Sequence, residues 1–254
     1  MTVYCAAILD VVGSKASPDR AGLQSRIEDA VGEFNTVFRP FLPVSAGVTV
    51  GDEWEFLTDQ PGRGYEMVRW FQEILRPHRI AIYAGLGIGA LNTPPAAEIG
   101  RMDGPCFHLA RRALKIAKGE QGGRHEFICS KRNRVYLLAE TAGGTNRRIL
   151  AFHDPEAAAA TEDGLGRLSL LEIANALIEN TEILKARMSE KQRTAALEYR
   201  RLGSYRKMAG ESPYRQTPGG ISQKLNTADY FTIRRNERLI GVLLDAMAKG
   251  WTTA

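Results

Sequence analysis

Val44-Ser45-Ala46-Gly47-Val48-Thr49-Val50-Gly51-Asp52-Glu53-Trp54-Glu55-Phe56-Leu57 decides the fold. Residues 44–50 and 53–57 are two strand-like runs rich in apolar residues, and only Gly51 and Asp52 separate them. Two such runs joined by a two-residue Gly-Asp loop predict a β-hairpin. Upstream, Val3 to Leu9 is an apolar run that ends at Asp10 and reads as a buried strand. A helical pattern follows from Pro18 and Asp19, with Leu23, Ile27, Ala30, Val31, Phe34 and Phe38 at helical spacing, and Pro40 stops it. Downstream, Gly64 to Leu75 repeats the pattern with Met67, Val68, Phe71, Ile74 and Leu75, and Pro77 ends it. Arg79 to Leu91 is a long apolar run carrying Gly85, Gly87 and Gly89. It predicts a central strand whose glycines let another backbone or a ligand come close. Residues 93–101 read as a loop, Asp103 to Lys118 as a helix, and Phe127 to Leu138 and Ile149 to Phe152 as weaker strands. The order βαββαβ is the split, ferredoxin-like plan of an α+β domain, which sets the end of the first strand beside the hairpin.

The bulk numbers bound the rest. A chain of 254 residues with 44% hydrophobic residues has room for two domains with real cores. Cys5, Cys106 and Cys129 are far apart and form no CxxC pair, so inert thiols in a reducing compartment are expected. His78, His108, His125 and His153 show no zinc-ligand spacing. No leader and no apolar run of about 20 residues is visible, so a cytoplasmic location without membrane contact is expected. Residues 1–185 carry 21 Lys/Arg against 23 Asp/Glu, whereas residues 186–238 carry 12 against 5. The basic excess therefore sits in one C-terminal block, which is either a polyanion contact or a solvated face.

That block reads as helical. Ala157 to Gly166 is a small-residue, acidic boundary, and Leu168 to Met188 is a helix. Its Leu170, Ala174, Leu177, Leu184 and Met188 either join two chains or pack within one. Ser189 caps a helix to Leu202 that Gly203 closes. A short helix near Tyr205 to Ala209, a turn over Pro213 to Gly220, a helical piece over Ile221 to Leu225 and a last helix over 229–248 complete the chain. The expected division is a 1–155 α/β domain, a 156–188 linker helix and a 189–254 helical domain.

Two carboxylates carry the candidate chemistry. Asp10 and Asp52 are neighbours on this strand order, and paired carboxylates hold Mg²⁺ or Mn²⁺ together with nucleotide phosphates. The turn Val11-Val12-Gly13-Ser14-Lys15 offers backbone N–H groups and an ammonium to a nucleoside triphosphate.

Val50-Gly51-Asp52-Glu53-Trp54 resembles the GGDEF signature of diguanylate cyclases and the hairpin aspartate of class III nucleotidyl cyclases. Leu9-Asp10-Val11-Val12-Gly13-Ser14 resembles their first-strand metal motif. Arg79 to Ala90 resembles their late strand, and Asp103 to Arg112 the helix after it. Over about residues 3–245 the chain resembles the SatD family. Asp10 to Lys15, Gly51 to Trp54 and Asp103 to Phe107 carry that resemblance most specifically. It implies a cyclase-like domain that binds metal and nucleotide, followed by a helix-turn-helix. Cyclases place an Asn and an Arg four residues apart on the helix after the late strand. Here His108 and Arg112 stand there, so they are the candidate catalytic pair, and the missing Asn puts turnover in doubt. The purine-selecting lysine and acid pair of adenylate cyclases is not found. Arg111 and Arg112 read equally as surface residues of an amphipathic helix.

In the helix-turn-helix reading, Arg200, Arg201, Arg206 and Lys207 touch DNA phosphates, and Gln223 and Lys224 reach base edges or phosphates. Ile221 to Leu225 resembles a shortened form of the family's ending, with Pro213, Pro218, Gly219 and Gly220 disturbing the turn. The alternative is a helical module for protein contacts. Three functions stay open: a nucleotide-sensing, DNA-binding regulator; a nucleotidyl cyclase or nucleotidyltransferase; and a metal-free dimerisation scaffold. A homodimer is expected.

Overall fold

The hairpin forms where its sequence places it, because Gly51 takes a left-handed φ of 61° that a side chain would resist. In the computed structural model the described residues are 2–94, 96–120, 127–140, 148–153, 165–211 and 217–250. Strand β1 spans Tyr4–Val11, β2 Gly47–Val50, β3 Glu53–Thr58, β4 Ile82–Gly89 and β5 Val135–Ala139. They form one sheet in the order β2-β3-β1-β4-β5. β1 lies antiparallel to both β3 and β4, and β5 is added parallel to β4. The first four strands thus take the expected split arrangement, and β5 extends it by one edge.

Helix α1 covers Arg20–Val37, α2 Gly64–Leu75 and α3 Pro105–Lys118. Asp19 caps α1 by accepting from the Gly22 N–H at 2.8 Å. β1 divides its side chains by alternation. Cys5, Ala7, Leu9 and Val11 join Leu23, Ile27, Phe34, Met67 and Phe71 in a core beneath α1 and α2. Ala6 and Ile8 join Cys106, Phe107, Ala110 and Leu114 in a second core beneath α3. The glycines of β4 admit a backbone, as expected. A Cβ on Gly85 would lie 2.2 Å from the Ala110 carbonyl oxygen, and one on Gly87 would lie 2.1 Å from that of Cys106. Helix α3 therefore rests its main chain directly on the strand.

A separate two-stranded ribbon, β6 (Arg148–His153) and β7 (Leu165–Ser169), precedes the helical half. β7 corrects the expectation that a helix begins at Leu168. The expected boundary at 155/156 lies outside the described residues. Helix α4 (Leu170–Arg187) starts on a Ser169 and Glu172 capping box. It sends Ala174 and Ile178 into the core beneath α1 and α2; of the expected stripe, Ala174 and Leu177 pack on that core and Met188 on the small helical core.

Helices α5 (Glu190–Leu202), α6 (Tyr205–Glu211) and α7 (Pro218–Thr227) share a small core of Ala195, Ala196, Met208, Ile221 and Leu225. Pro218, Gly219 and Gly220 form the first turn of α7 rather than disturbing it. Thr217 caps that turn, and proline is tolerated where its missing N–H would have no partner. Pro213 lies outside the described residues. The last helix, α8 (Tyr230–Gly250), belongs to both halves. Tyr230 enters the small core, whereas Ile240, Leu244 and Ala248 enter the core of the sheet body. No helix among the described residues is long and apolar enough to cross a membrane.

Candidate functional site

The end of β1 and the hairpin meet at the α3 side of the sheet. Asp10 faces Glu53 in the β1–β3 register, so Asp52 is one residue from its direct partner. The following strand carries Glu53 and Glu55 at period two, on the face opposite Trp54 and Phe56. Four carboxylates thus gather on one corner of the sheet. Burial pushes Asp10 up from the ordinary carboxylate range, Lys118 pulls it back, and Asp52 and Glu53 add to the rise. Glu55 is also raised, first by burial and then by Glu53, against the pull of Arg111.

Helix α3 supplies the counter-charge. Lys118 Nζ lies 2.7 Å from Asp10 Oδ2. Arg111 bridges two acids, with one nitrogen on Glu53 and the other 2.6 Å from Glu55 Oε1. Positions 111 and 118 are two helical turns apart and so share one face of α3. Asp52 is different. Its Oδ2 is buried and has no hydrogen-bond partner among the described residues. Desolvating a carboxylate oxygen without a partner is costly, and a cation would relieve it.

The donor set therefore fits a hard divalent cation: Asp10 and Asp52 would hold it. Among the described residues no group of three His, Cys, Asp or Glu could hold a metal ion. Two carboxylates leave the rest of the shell to water and substrate phosphates, as Mg²⁺ sites commonly do. An ion on Asp10 must also share or displace the Lys118 ammonium.

The turn after β1 has Gly13 at φ 70° as its left-handed residue. The Val12 N–H donates to the Ala81 carbonyl at 2.9 Å, and Ser14 is buried while Lys15 is exposed. Val11 to Lys15 thus lie directly beyond Asp10. On the same side of the sheet a 730 Å³ cleft opens between β2, the 97–102 loop and α3. Glu55, His108 and Arg111 line it, whereas Asp10 and Asp52 do not. The Glu53–Arg111–Glu55 bridge stands between the cleft and the Asp10 corner.

The remaining expected residues fall in different places. His108 is exposed and holds Asp103 at 3.0 Å. Arg112 is exposed on the solvent side of α3, so Arg111, its neighbour, is the arginine that reaches the acids. Sequence reasoning missed Lys118, Glu53 and Glu55 as members of this corner. The signal was present: two acids at period two inside a buried strand need partners, and a helix with basic residues seven apart provides them.

In the helical half, Arg201, Arg206, Lys207 and Gln223 are exposed and Lys224 is half-buried. Arg200 is a correction. It pairs with Glu73 at 3.0 Å and with Glu237 at 3.3 Å, tying α5 to α2 and α8, and is not a free phosphate contact.

Several solved cyclase structures are similar over 44% of this chain. A bacterial light-regulated adenylyl cyclase matches at 14% identity over 68% of its own length, with a TM-score of 0.32. The dimeric guanylyl cyclase domain of the RhoGC fusion protein from the aquatic fungus Blastocladiella emersonii matches at 15% over 73%, also at 0.32. The guanylate cyclase domain of RhGC from Catenaria anguillulae, in complex with GTP, matches at 13% over 71%, again at 0.32. A likeness this distant carries no functional argument. No curated protein matches the chain. The SatD family model matches residues 4–136, which takes in β1, the hairpin, α3 and the first two residues of β5. The chain is a member of the SatD family.

Proposed function

We propose that this protein is a regulator that binds a nucleoside triphosphate with Mg²⁺ or Mn²⁺ at the Asp10 and Asp52 corner and binds DNA through its α5–α7 unit. The observation that carries the first half is the buried, unpartnered Asp52 Oδ2 beside a second carboxylate. Asp10 and Asp52 hold the ion, and Gly13 to Lys15, beyond the Val12 N–H that Ala81 already takes, present N–H groups and an ammonium to the phosphates. The ion neutralises phosphate charge when bound. Lys118 keeps Asp10 compensated when no ion is present.

The regulator reading is favoured over a cyclase because neither arginine of α3 is placed to serve a transfer. Arg111 is held by Glu53 and Glu55, and Arg112 faces solvent. Neither stands ready to meet charge that develops during transfer. The second half rests on exposed Arg201, Arg206 and Lys207 on a small basic helical unit, read here as a helix-turn-helix. The functional species in this reading is a homodimer.

The test is a titration of each nucleoside triphosphate with Mn²⁺, read by calorimetry, with pyrophosphate release assayed in parallel. Metal-dependent binding that Asp52→Asn abolishes, without product, supports the regulator. Steady pyrophosphate release moves the assignment to a nucleotidyl cyclase or nucleotidyltransferase. No metal-dependent binding to any nucleotide ends both readings.

A further inference from the structure

A second cavity lies where the helical half meets the sheet body. It encloses 390 Å³, within the range of about 300–1,000 Å³ typical of small-molecule sites. Arg76, Arg132 and Arg134 reach it from the body, and Lys185, Arg193 and Arg200 reach it from α4 and α5. Against these six cations stand three carboxylates, Glu73, Glu182 and Glu237.

Those acids are already engaged. Glu182 accepts from Tyr65 and from Lys185, both at 2.7 Å, and from Gln72 at 3.1 Å. Glu73 and Glu237 are shared by Arg69 and Arg200. Arg76 is paired with Glu190. Three guanidiniums remain without a carboxylate among the described residues. Arg132 and Arg134 have no ion pair, and Arg193 donates only to the carbonyls of Lys185 and Met188. In addition, the Nε atoms of Arg76 and Arg200 are buried with no partner. Burial first, and then the neighbouring Arg76, push Arg193 below the ordinary arginine value. The fold thus holds a surplus of positive charge in a concave space, with Arg134 and Arg193 half-buried in its wall and Arg132 exposed at its rim.

We propose that this cavity binds a small organic phosphate carrying two or more negative charges, at a site separate from the Asp10 corner. Five of the six cations are arginines, whose planar forks suit phosphate oxygens better than a flexible ammonium does. Ile80, Leu197 and Tyr230 supply apolar wall for the rest of the molecule. A concave space between three elements suits a small ligand, whereas a DNA backbone would be met on an exposed face. Because the walls come from both halves, an occupant bridges them and fixes α5 against α2.

The experiment uses the full chain in EDTA, which removes the divalent ion and so separates this site from the first. Inorganic phosphate, pyrophosphate, AMP and ATP are titrated at millimolar concentrations, with a short duplex DNA in parallel. Melting temperature and calorimetric affinity are the readouts. A ligand that binds only the folded chain raises the melting temperature with concentration. The expected result is binding that strengthens with ligand charge and that survives in the Asp10→Asn, Asp52→Asn double variant. It should weaken by about tenfold or more in Arg132→Gln, Arg134→Gln, as expected for loss of charge-assisted contacts. Those two side chains have no ion-pair partner to lose among the described residues, so the ligand-free melting temperature of that variant stays unchanged. Arg134→Lys, which keeps the charge without the fork, retains part of the affinity. Absence of binding by all four phosphates, equal binding by the arginine variant, or competition by DNA alone would overturn the proposal.

Discussion

At the scale of single residues, burial decides the chemistry of side chains that the sequence leaves undetermined. Cys5 is fully buried, and Cys106 is buried on the sheet-facing side of α3. Burial raises both thiols, Cys106 to about 12, whereas Cys129 is exposed. Since the thiolate is the reactive form, a disulfide reagent at neutral pH should titrate one thiol per native chain and three in denaturant. Two fast thiols in the native protein would show that α3 does not seal the sheet. Tyr65 gives a pH-dependent counterpart. Burial, and after it the Glu182 carboxylate, hold its phenol well above the usual value of 10.0. A raised value in the folded state means full stabilisation below the unfolded value and progressive loss as pH climbs toward the folded one. Urea midpoints of the native protein should therefore fall above about pH 10, and those of Tyr65→Phe should fall less steeply. At neutral pH the same change should cost about 1–2 kcal/mol, because Glu182 loses one of its three donors.

At the scale of elements, the contact of β4 with α3 is the tightest joint described. A methyl on Gly87 would stand 2.4 Å from the Ala110 nitrogen as well as 2.1 Å from the Cys106 oxygen. Both are helix main chain and cannot rotate away. Gly87→Ala should destabilise by about 3 kcal/mol, the upper end for overpacking. That corresponds to a melting temperature lower by roughly 6–12 °C in a chain of this size. A change under about 2 °C would mean that α3 rides higher on the sheet than described. The other edge of the sheet is managed by a side chain. Asn175 on α4 accepts from the Leu137 N–H at 2.9 Å and donates to its carbonyl at 3.0 Å. It thereby blocks β5 from pairing with another chain.

At the scale of the whole molecule, α8 joins the two halves by contributing to both cores, and Asp245 secures it by accepting from the Gly62 N–H at 2.7 Å. The proposed regulator needs such a joint. If the α5–α7 unit binds DNA through phosphates, affinity must fall steeply with salt as counterions are released. Replacing Arg201, Arg206 and Lys207 by glutamine should weaken binding to every sequence and flatten the salt slope by about 2–3 units. Changing Gln223 should alter sequence preference more than affinity. Arg200→Gln should instead lower stability, since it leaves Glu73 and Glu237 short of a partner. Filter-binding titrations at two salt concentrations, beside urea melts of each variant, separate these outcomes. Nucleotide with Mn²⁺ should shift DNA affinity, and DNA must shift nucleotide affinity by the same factor. Identical DNA curves with and without saturating nucleotide would leave two independent modules.

By itself the sequence determined the hairpin and the split arrangement of the first four strands, because turn chemistry and apolar periodicity are local signals. It also placed α1, α2 and α5 closely, since Asp19, Pro77, Ser189 and Gly203 mark their ends. It could not tell that the β4 glycines admit a helix rather than a ligand, because both need the same absent side chain. Tertiary structure alone decided that Arg111, and not Arg112, reaches the acids, since a rotation of one residue on α3 exchanges the two faces. It also decided that Lys118 meets Asp10 across 108 residues of chain and that Arg200 is an internal tie. Charge is visible in sequence, but the partner of a charge depends on long-range packing, which no local pattern encodes.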